Sequence, residues 1–118
     1  MIKVRRGDVF WADLSPRSGS EQQGRRPVVV VSRNALNDVP TWRSVNVVPL
    51  STSLRQAQRG LTVVFLSQGT AGLSQDSVAL CHQVTTLDRS KLTIQIGSLP
   101  QDCLSRVNQA LLIALALD

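Results

Sequence analysis

The sequence is poor in the residues that usually build metal sites and histidine-based active sites. It holds one histidine, His82, and two cysteines, Cys81 and Cys103, with no Cys-x-x-Cys spacing. These residues cannot form a Cys/His zinc site within one chain. Cys81 and His82 adjoin in a strand pattern, where consecutive side chains point to opposite faces, so no Cys–His nucleophile pair is predicted. Both cysteines are predicted to be buried free thiols.

Other familiar sites of phosphate chemistry are missing as well. Gly19 and Gly24 flank a polar loop, but the lysine and the following helix of a phosphate-binding loop are absent. The acidic residues are scattered, so a two-metal phosphodiesterase site has no obvious ligands. We therefore predict that the protein uses neither a metal ion nor an organic cofactor.

No apolar run is long enough to cross a bilayer. The longest, 110–117, falls far short of the ~20 residues that a spanning helix needs. The basic segment 3–6 leads into Gly7 and Asp8, and not into the apolar core of a secretory signal. We expect no membrane association and a cytoplasmic location, which suits free thiols.

Positive charge is concentrated in the first half of the sequence. Residues 1–59 carry ten lysines and arginines against four acids, whereas residues 60–118 carry three against four, within a net charge of +5. A one-sided basic surface favours a polyanionic partner such as nucleic acid, although basic solvated faces are common. The length of 118 residues predicts one domain spanning 1–118.

Short β-rich segments dominate the chain. The run PVVVVS, beginning at Pro27, predicts a strand buried on both faces, and Pro49 predicts that its strand ends at an edge or bulge. Strands of this length and spacing favour a mainly β (α+β) fold, a small barrel or sandwich. The predicted strands are 8–14, 27–32, 45–50, 62–66, 77–85 and 92–97.

The last segment has a helical pattern. Leu104, Val107, Leu111 and Leu115 recur at three- and four-residue spacing, which predicts an amphipathic helix over about 101–117. Beyond Ala110 the helix is apolar nearly all round. This part either contacts a second subunit or is sunk in the chain's own core.

Two polar, arginine-bearing connections, 15–26 and 51–60, are long for so small a domain, and together they could form a basic groove. The first contains Glu21 and Arg26. Arg26 directly precedes a buried strand, so its guanidinium could grip a phosphate with two hydrogen bonds. The alternative is a salt bridge within the loop between Arg26 and Glu21, which would contribute little on a surface.

The string GDVFWADLSPRSGSEQQGRRPVVVVS resembles the N-terminal signature of MazF/PemK toxins, in particular through G-S-E-Q-x-G-x-R-P. The similarity continues through VVPLSTS and DSVALCHQVTTLDRSKL into the terminal helix. The resemblance implies an SH3-like barrel of the MazF/PemK/CcdB type with a C-terminal helix. It also implies a homodimer that cuts single-stranded RNA at a specific sequence and is held in check by an antitoxin with an acidic segment.

The same resemblance assigns roles to individual residues. It puts the catalytic arginine at Arg26, the loop glutamate at Glu21, and the catalytic hydroxyl at Ser51, where the family usually has threonine; Thr52 or Ser53 could supply that hydroxyl instead. Glu21 is the candidate base or the residue that orients Arg26. The candidate RNA contacts are Ser20, Gln22, Arg25, Thr52, Asp76, Ser77 and Gln83, although Asp76 and Ser77 could equally be turn residues that cap the next strand.

Two tryptophans could stack on RNA bases. Trp11 lies in the middle of a strand and is predicted to be core, so Trp42, in the turn VPTWRS beside Arg43, is the better stacking candidate. Two other functions remain open. One is a CcdB-like inhibitor of gyrase that cuts nothing, and the other is an RNA-binding module without catalysis.

Overall fold

The computed structural model describes residues 2–15, 19, 21–22 and 24–118, with the side chain of Arg59 excepted. Among these residues, seven strands and two α-helices are found. The strands are β1 (Asp8–Asp13), β2 (Arg25–Val30), β3 (Ser44–Ser51), β4 (Val63–Leu66), β5 (Ser77–Leu80), β6 (Thr85–Asp88) and β7 (Leu92–Ser98). The α-helices are α1 (Asn34–Asn37) and α2 (Gln101–Ala114), and 3₁₀ turns occur at Leu54–Arg59, Thr70–Gly72, Cys81–Gln83 and Arg89–Lys91.

The strands form one antiparallel sheet in the order β4-β5-β3-β2-β1-β7, and β6 also pairs with β3. The prediction of a mainly β fold with a C-terminal helix is therefore confirmed. Val29 of β2 belongs to the core cluster that packs against α2, whereas Val28 and Val30 belong to a second cluster. The prediction that β2 is buried on both faces is confirmed, because alternate side chains enter different cores.

The region predicted as one strand over 77–85 is two strands separated by the turn Cys81–Gln83, so that prediction was wrong in its extent. The reason lies in β3, which pairs with β6 through Ser44–Val47 and with β5 through Leu50 and Ser51. Ala79 pairs with Leu50 and Thr85 with Val47, so six residue steps in this segment span three in β3, and the three extra residues form the turn Cys81–Gln83.

Pro49 was predicted to confine the end of a strand over 45–50 to an edge or bulge, and β3 continues to Ser51, one residue beyond that predicted end. It pairs with Val28 on the β2 side. On the other side it lies between the last residue paired with β6, Val47, and the first paired with β5, Leu50. A residue without an N–H is tolerated at this gap because no ladder hydrogen bond is required there.

Helix α2 ends at Ala114, three residues before the predicted end. Ala116 adopts a left-handed conformation with φ 56°, and its N–H donates to the carbonyl of Ile113 while the N–H of Leu117 donates to that of Leu112. This paired arrangement is a common way of closing a helix. No helix in the described part of the chain is long and apolar enough to cross a membrane.

Candidate nucleic-acid cleavage site

A cleft of about 390 Å³ wraps around the start of β2 and the end of β3. Its volume lies within the ~300–1,000 Å³ typical of ligand sites. Five of the residues proposed from the sequence line it, and their neighbours in the wall include Trp11 and the segment 72–75. Those five are Arg25, Arg26, Ser51, Thr52 and Ser77.

Arg26 belongs to a strand and not to the preceding loop. Strand β2 begins at Arg25, two residues earlier than predicted, and Arg26 pairs with Ala12 of β1. Its backbone is thus fixed by the sheet while the residue remains exposed. The positive charge of Arg26 is therefore carried at the cleft by a backbone that strand pairing holds rigid.

The register between β2 and β3 explains why Arg26 and Ser51 meet. The ladder pairs Val30 with Val47 and ends at Val28 with Pro49. The same register continued by two residues brings Arg26 opposite Ser51. Because opposite residues of an antiparallel pair share a face, the guanidinium and the hydroxyl are carried by the same side of the sheet.

The Ser51 hydroxyl is held by two donors. Ser51 is only 6% exposed, and its Oγ accepts hydrogen bonds from the backbone N–H of Ser53 at 3.1 Å and from Nε2 of Gln56 at 3.4 Å. A hydroxyl has two acceptor lone pairs and one proton to donate. With both lone pairs engaged, the hydroxyl can still donate its one proton in a hydrogen bond. Thr52, the next residue, is exposed in the same cleft.

Two of the candidate RNA contacts have local partners. Oδ1 of Asp76 accepts a hydrogen bond from the backbone N–H of Gln68 at 2.7 Å, and Asp76 is not among the residues that line the cleft. Ser77 does line it, but it is 3% exposed and its Oγ donates to the carbonyl of Gln75 at 3.0 Å. These bonds favour the turn-capping interpretation of both residues.

The segment 72–75, which sequence reasoning missed, forms a third wall of the cleft. It is held against β7 by a very close approach. An added Cβ at Gly97 would lie 2.3 Å from the carbonyl oxygen of Ala71, and one at Gly72 would lie 2.8 Å from that of Ile96. Gly97 was the available signal, since a glycine inside a strand often marks a close backbone contact, whereas Gly72 lies in the turn Thr70–Gly72.

Among the described residues, the remaining candidate RNA contacts and the candidate base do not line the cleft. Glu21 is exposed and, like Gln83, is not among the residues that line the cleft. The backbone N–H of Gln22 donates to Oε1 of Gln83 at 3.0 Å, so Gln83 contacts the loop between β1 and β2. Ser20 lies outside the described residues.

The prediction of burial was wrong for Trp11, whereas the exposure predicted for Trp42 is confirmed. Trp11, predicted to be core, is only partly buried and lines the cleft, where the Arg25 guanidinium lies 4.8 Å from its ring centroid. Trp42 is 43% exposed as expected, but it is not among the residues that line the cleft.

The cysteines are free and buried, as predicted. Burial raises the pKa of the Cys81 thiol to about 12, so this thiol stays protonated at neutral pH and is a poor nucleophile. Its Sγ faces the carbonyl of Val107, whereas Nδ1 of the exposed His82 lies 3.4 Å from Oγ1 of Thr62. No three His, Cys, Asp or Glu side chains in the described part of the chain are grouped so that they could hold a metal ion.

Residues 5–115 match a family described as PemK-like, MazF-like toxin of type II toxin–antitoxin system. The endoribonuclease EndoA of Bacillus subtilis (strain 168) is 39% identical over 114 residues, which cover 97% of this chain and 96% of that protein. The crystal structure of MazF (Form-I) from Deinococcus radiodurans has a TM-score of 0.80 at 28% identity and covers 98% of this chain and 99% of its own. A MazE–MazF structure (Form-II) from the same organism has a TM-score of 0.73 at 26% identity, with both chains fully covered.

These similarities extend over nearly the whole chain, and the structural ones agree with the SH3-like barrel expected from the sequence. The gyrase-inhibitor alternative is not favoured, because the family that matches is PemK/MazF. The chain belongs to the PemK/MazF family of toxins from type II toxin–antitoxin systems.

Proposed function

We propose that the protein is the endoribonuclease toxin of a toxin–antitoxin module and that it cuts single-stranded RNA at specific sequences in the cleft. The observation that carries the proposal is the meeting of Arg26 with the hydroxyls of Ser51 and Thr52 in one cleft, in a chain 39% identical to an endoribonuclease. The proposed place of action is the cytoplasm, where such RNA is found.

In the proposed reaction RNA supplies its own nucleophile. The ribose 2′-hydroxyl gives its proton to a base while its oxygen attacks the adjacent phosphorus; the bond from phosphorus to the 5′-oxygen breaks, and the departing oxygen takes up a proton from the protonated base or from water. The products are a 2′,3′-cyclic phosphate and a 5′-hydroxyl. Because no water has to be activated, the reaction can proceed without a metal ion.

Arg26 suits the stabilisation of negative charge on the non-bridging phosphate oxygens. A guanidinium stays protonated in water and is therefore a poor base, whereas a well-placed donor can contribute ~3–4 kcal/mol to the transition state. Ser51 would donate a hydrogen bond to the same oxygens. Glu21, a carboxylate on the neighbouring loop, is the proposed base or the group that orients Arg26.

The test is cleavage of a mixed-sequence RNA in excess chelator, with both fragment ends mapped. Wild type should cut at a recurring short motif and leave cyclic-phosphate and 5′-hydroxyl ends. Arg26→Ala should lose about 100- to 1,000-fold in rate. Arg33→Ala, which removes an exposed arginine outside the cleft, should cut like wild type.

Three further variants separate the roles. Comparing Ser51→Ala with Thr52→Ala identifies the catalytic hydroxyl. Glu21→Gln tests Glu21 as the base, and full activity of this variant would rule out that role. RNA that is bound but left intact by folded wild-type protein would contradict the nuclease and support a non-catalytic RNA-binding module. Fragments with 5′-phosphate ends would contradict attack by the 2′-hydroxyl.

We also propose a homodimer that is inhibited by an antitoxin with an acidic C-terminal segment. Several large apolar side chains are exposed, among them Leu61 at 76% and Leu117 at 69%, and a subunit contact would cover such groups. The charge of +5 suits an acidic partner, and one similar structure contains MazE together with MazF. Sedimentation should give twice the 12.8 kDa chain mass, and a small acidic protein encoded beside this one should block cleavage.

A further inference from the structure

Two arginines that are adjacent in the sequence have different surroundings in the cleft. Strand alternation places Arg26 on the face of Ser51, whereas Arg25 shares the opposite face with Trp11 and Pro27. The Arg25 guanidinium carbon lies 4.8 Å from the centroid of the Trp11 ring, within the range of a cation–π contact. Arg25 is thus engaged with an aromatic ring, while Arg26 reaches the cleft from the other face.

We propose that Trp11 and Arg25 form a stacking platform for one unpaired base of the RNA, next to the phosphate at Arg26. This proposal rests on the proposed ribonuclease function. It assigns base recognition to Trp11 and Arg25 together, whereas a phosphate-binding interpretation would use Arg25 alone. Trp11 is partly exposed in the cleft and its backbone is fixed, since its carbonyl accepts a hydrogen bond from Oγ1 of Thr93 at 3.1 Å.

The chemistry of the pair supports a base and not a second phosphate. An indole and a guanidinium both present flat surfaces, and bases of single-stranded RNA stack on such planes. Stacking is tolerant of base identity because every base has a π-face. The platform would therefore supply affinity and position at one nucleotide, while the choice of base there depends on other contacts.

The first test combines a protein change with an RNA change. Trp11→Leu should raise KM for a short single-stranded RNA about 10- to 100-fold and change kcat little, as loss of one stacked base does. Trp11→Phe should recover most of the affinity. Trp42→Leu is the matched control, because it removes a partly exposed tryptophan that is not among the residues lining the cleft.

An RNA series with one abasic nucleotide at successive positions then identifies the stacked base. At one position the abasic change and Trp11→Leu should not be additive, because each removes the same contact; at every other position they should be additive. Additivity at all positions, or an unchanged KM for Trp11→Leu, would overturn the platform and leave the nuclease proposal intact.

A binding measurement makes the platform testable even if no RNA is cut. The chain has two tryptophans, so Trp42→Phe leaves Trp11 as the only indole. Adding RNA to this variant should quench its emission, and one member of the abasic series should quench less than the others. If RNA binds without changing the emission, the platform is wrong. If quenching occurs without cleavage, the platform stands and the nuclease proposal fails.

Discussion

Replacing Gly97 with alanine should disturb the cleft from a distance, because Gly97 is where β7 touches the turn Thr70–Gly72. The added Cβ would lie 2.3 Å from the carbonyl oxygen of Ala71 and 2.8 Å from its carbonyl carbon. Both are backbone atoms, so no side-chain rotation can relieve the contact. Gly97 has no left-handed φ, so alanine fits the strand itself and the cost comes from the clash alone.

The size of the effect follows from the geometry. Ordinary van der Waals contact begins at 3.4 Å, so the turn must move away by about 1 Å. Overpacking of this kind costs ~1–3 kcal/mol. The moving turn leads directly into the segment 72–75, which lines the cleft, and a shift of ~1 Å at an active site can cost ~100-fold in rate.

Urea unfolding and RNA cleavage should both report the change. Gly97→Ala should lower the unfolding midpoint without changing the slope, and it should reduce cleavage more than RNA binding. Ile94→Ala, on the same strand with a side chain 59% exposed, should stay within ~0.5 kcal/mol of wild type. If Gly97→Ala matched wild type in both stability and cleavage, the close approach would not be a constraint.

Arg89→Met should lower the free energy of unfolding, measured in urea, by about 2 to 4 kcal/mol. The buried Arg89 guanidinium donates hydrogen bonds to the backbone carbonyls of Asn37 and Trp42, which would lose their partner. An unchanged free energy of unfolding would contradict this prediction. In Cys103→Ser, Cys81 is the only thiol. Because burial raises the pKa of this thiol to about 12, it should not react with a thiol reagent at pH 8 until urea unfolds the protein. Rapid labelling of the folded protein would show that the burial of Cys81 is transient. The hydrogen bond from Arg43 holds the pKa of Asp88 well below its usual 3.8, so this contribution to stability is present above that pH and is lost as the pH falls through the lower folded value. In Arg43→Gln the pKa of Asp88, followed by NMR, should move back towards 3.8, and a pKa unchanged from wild type would mean that the ion pair does not form in solution.

Local patterns were enough to predict the strand class, the doubly buried β2 and the C-terminal helix. These features depend on hydrophobic periodicity, which is written in consecutive residues. The division of 77–85 into two strands could not be predicted in the same way. It depends on the registers in which the two halves pair with β3, which are offset by three residues, and the hydrophobic pattern within 77–85 does not carry that information.

The candidate site shows the same boundary between local and distant information. The motif around Arg26 and the hydroxyl at Ser51 could be picked out from the sequence, and both line the cleft. Trp11 was misjudged because alternation tells which side chains share a face but not which face is open. In the fold, Trp11 shares the cleft with Gly72 and the segment that follows it, about 60 residues away in sequence.

The relative position of Arg26 and Ser51 follows from the register between β2 and β3. Val28, Val29 and Val30 enter cores on both faces of β2, so a slip of one residue against β3 would exchange the two sets. The register that this burial specifies is the one that brings Arg26 opposite Ser51. Substitutions in this run should therefore affect cleavage mainly through stability, because any folded state that keeps the two cores also keeps the site.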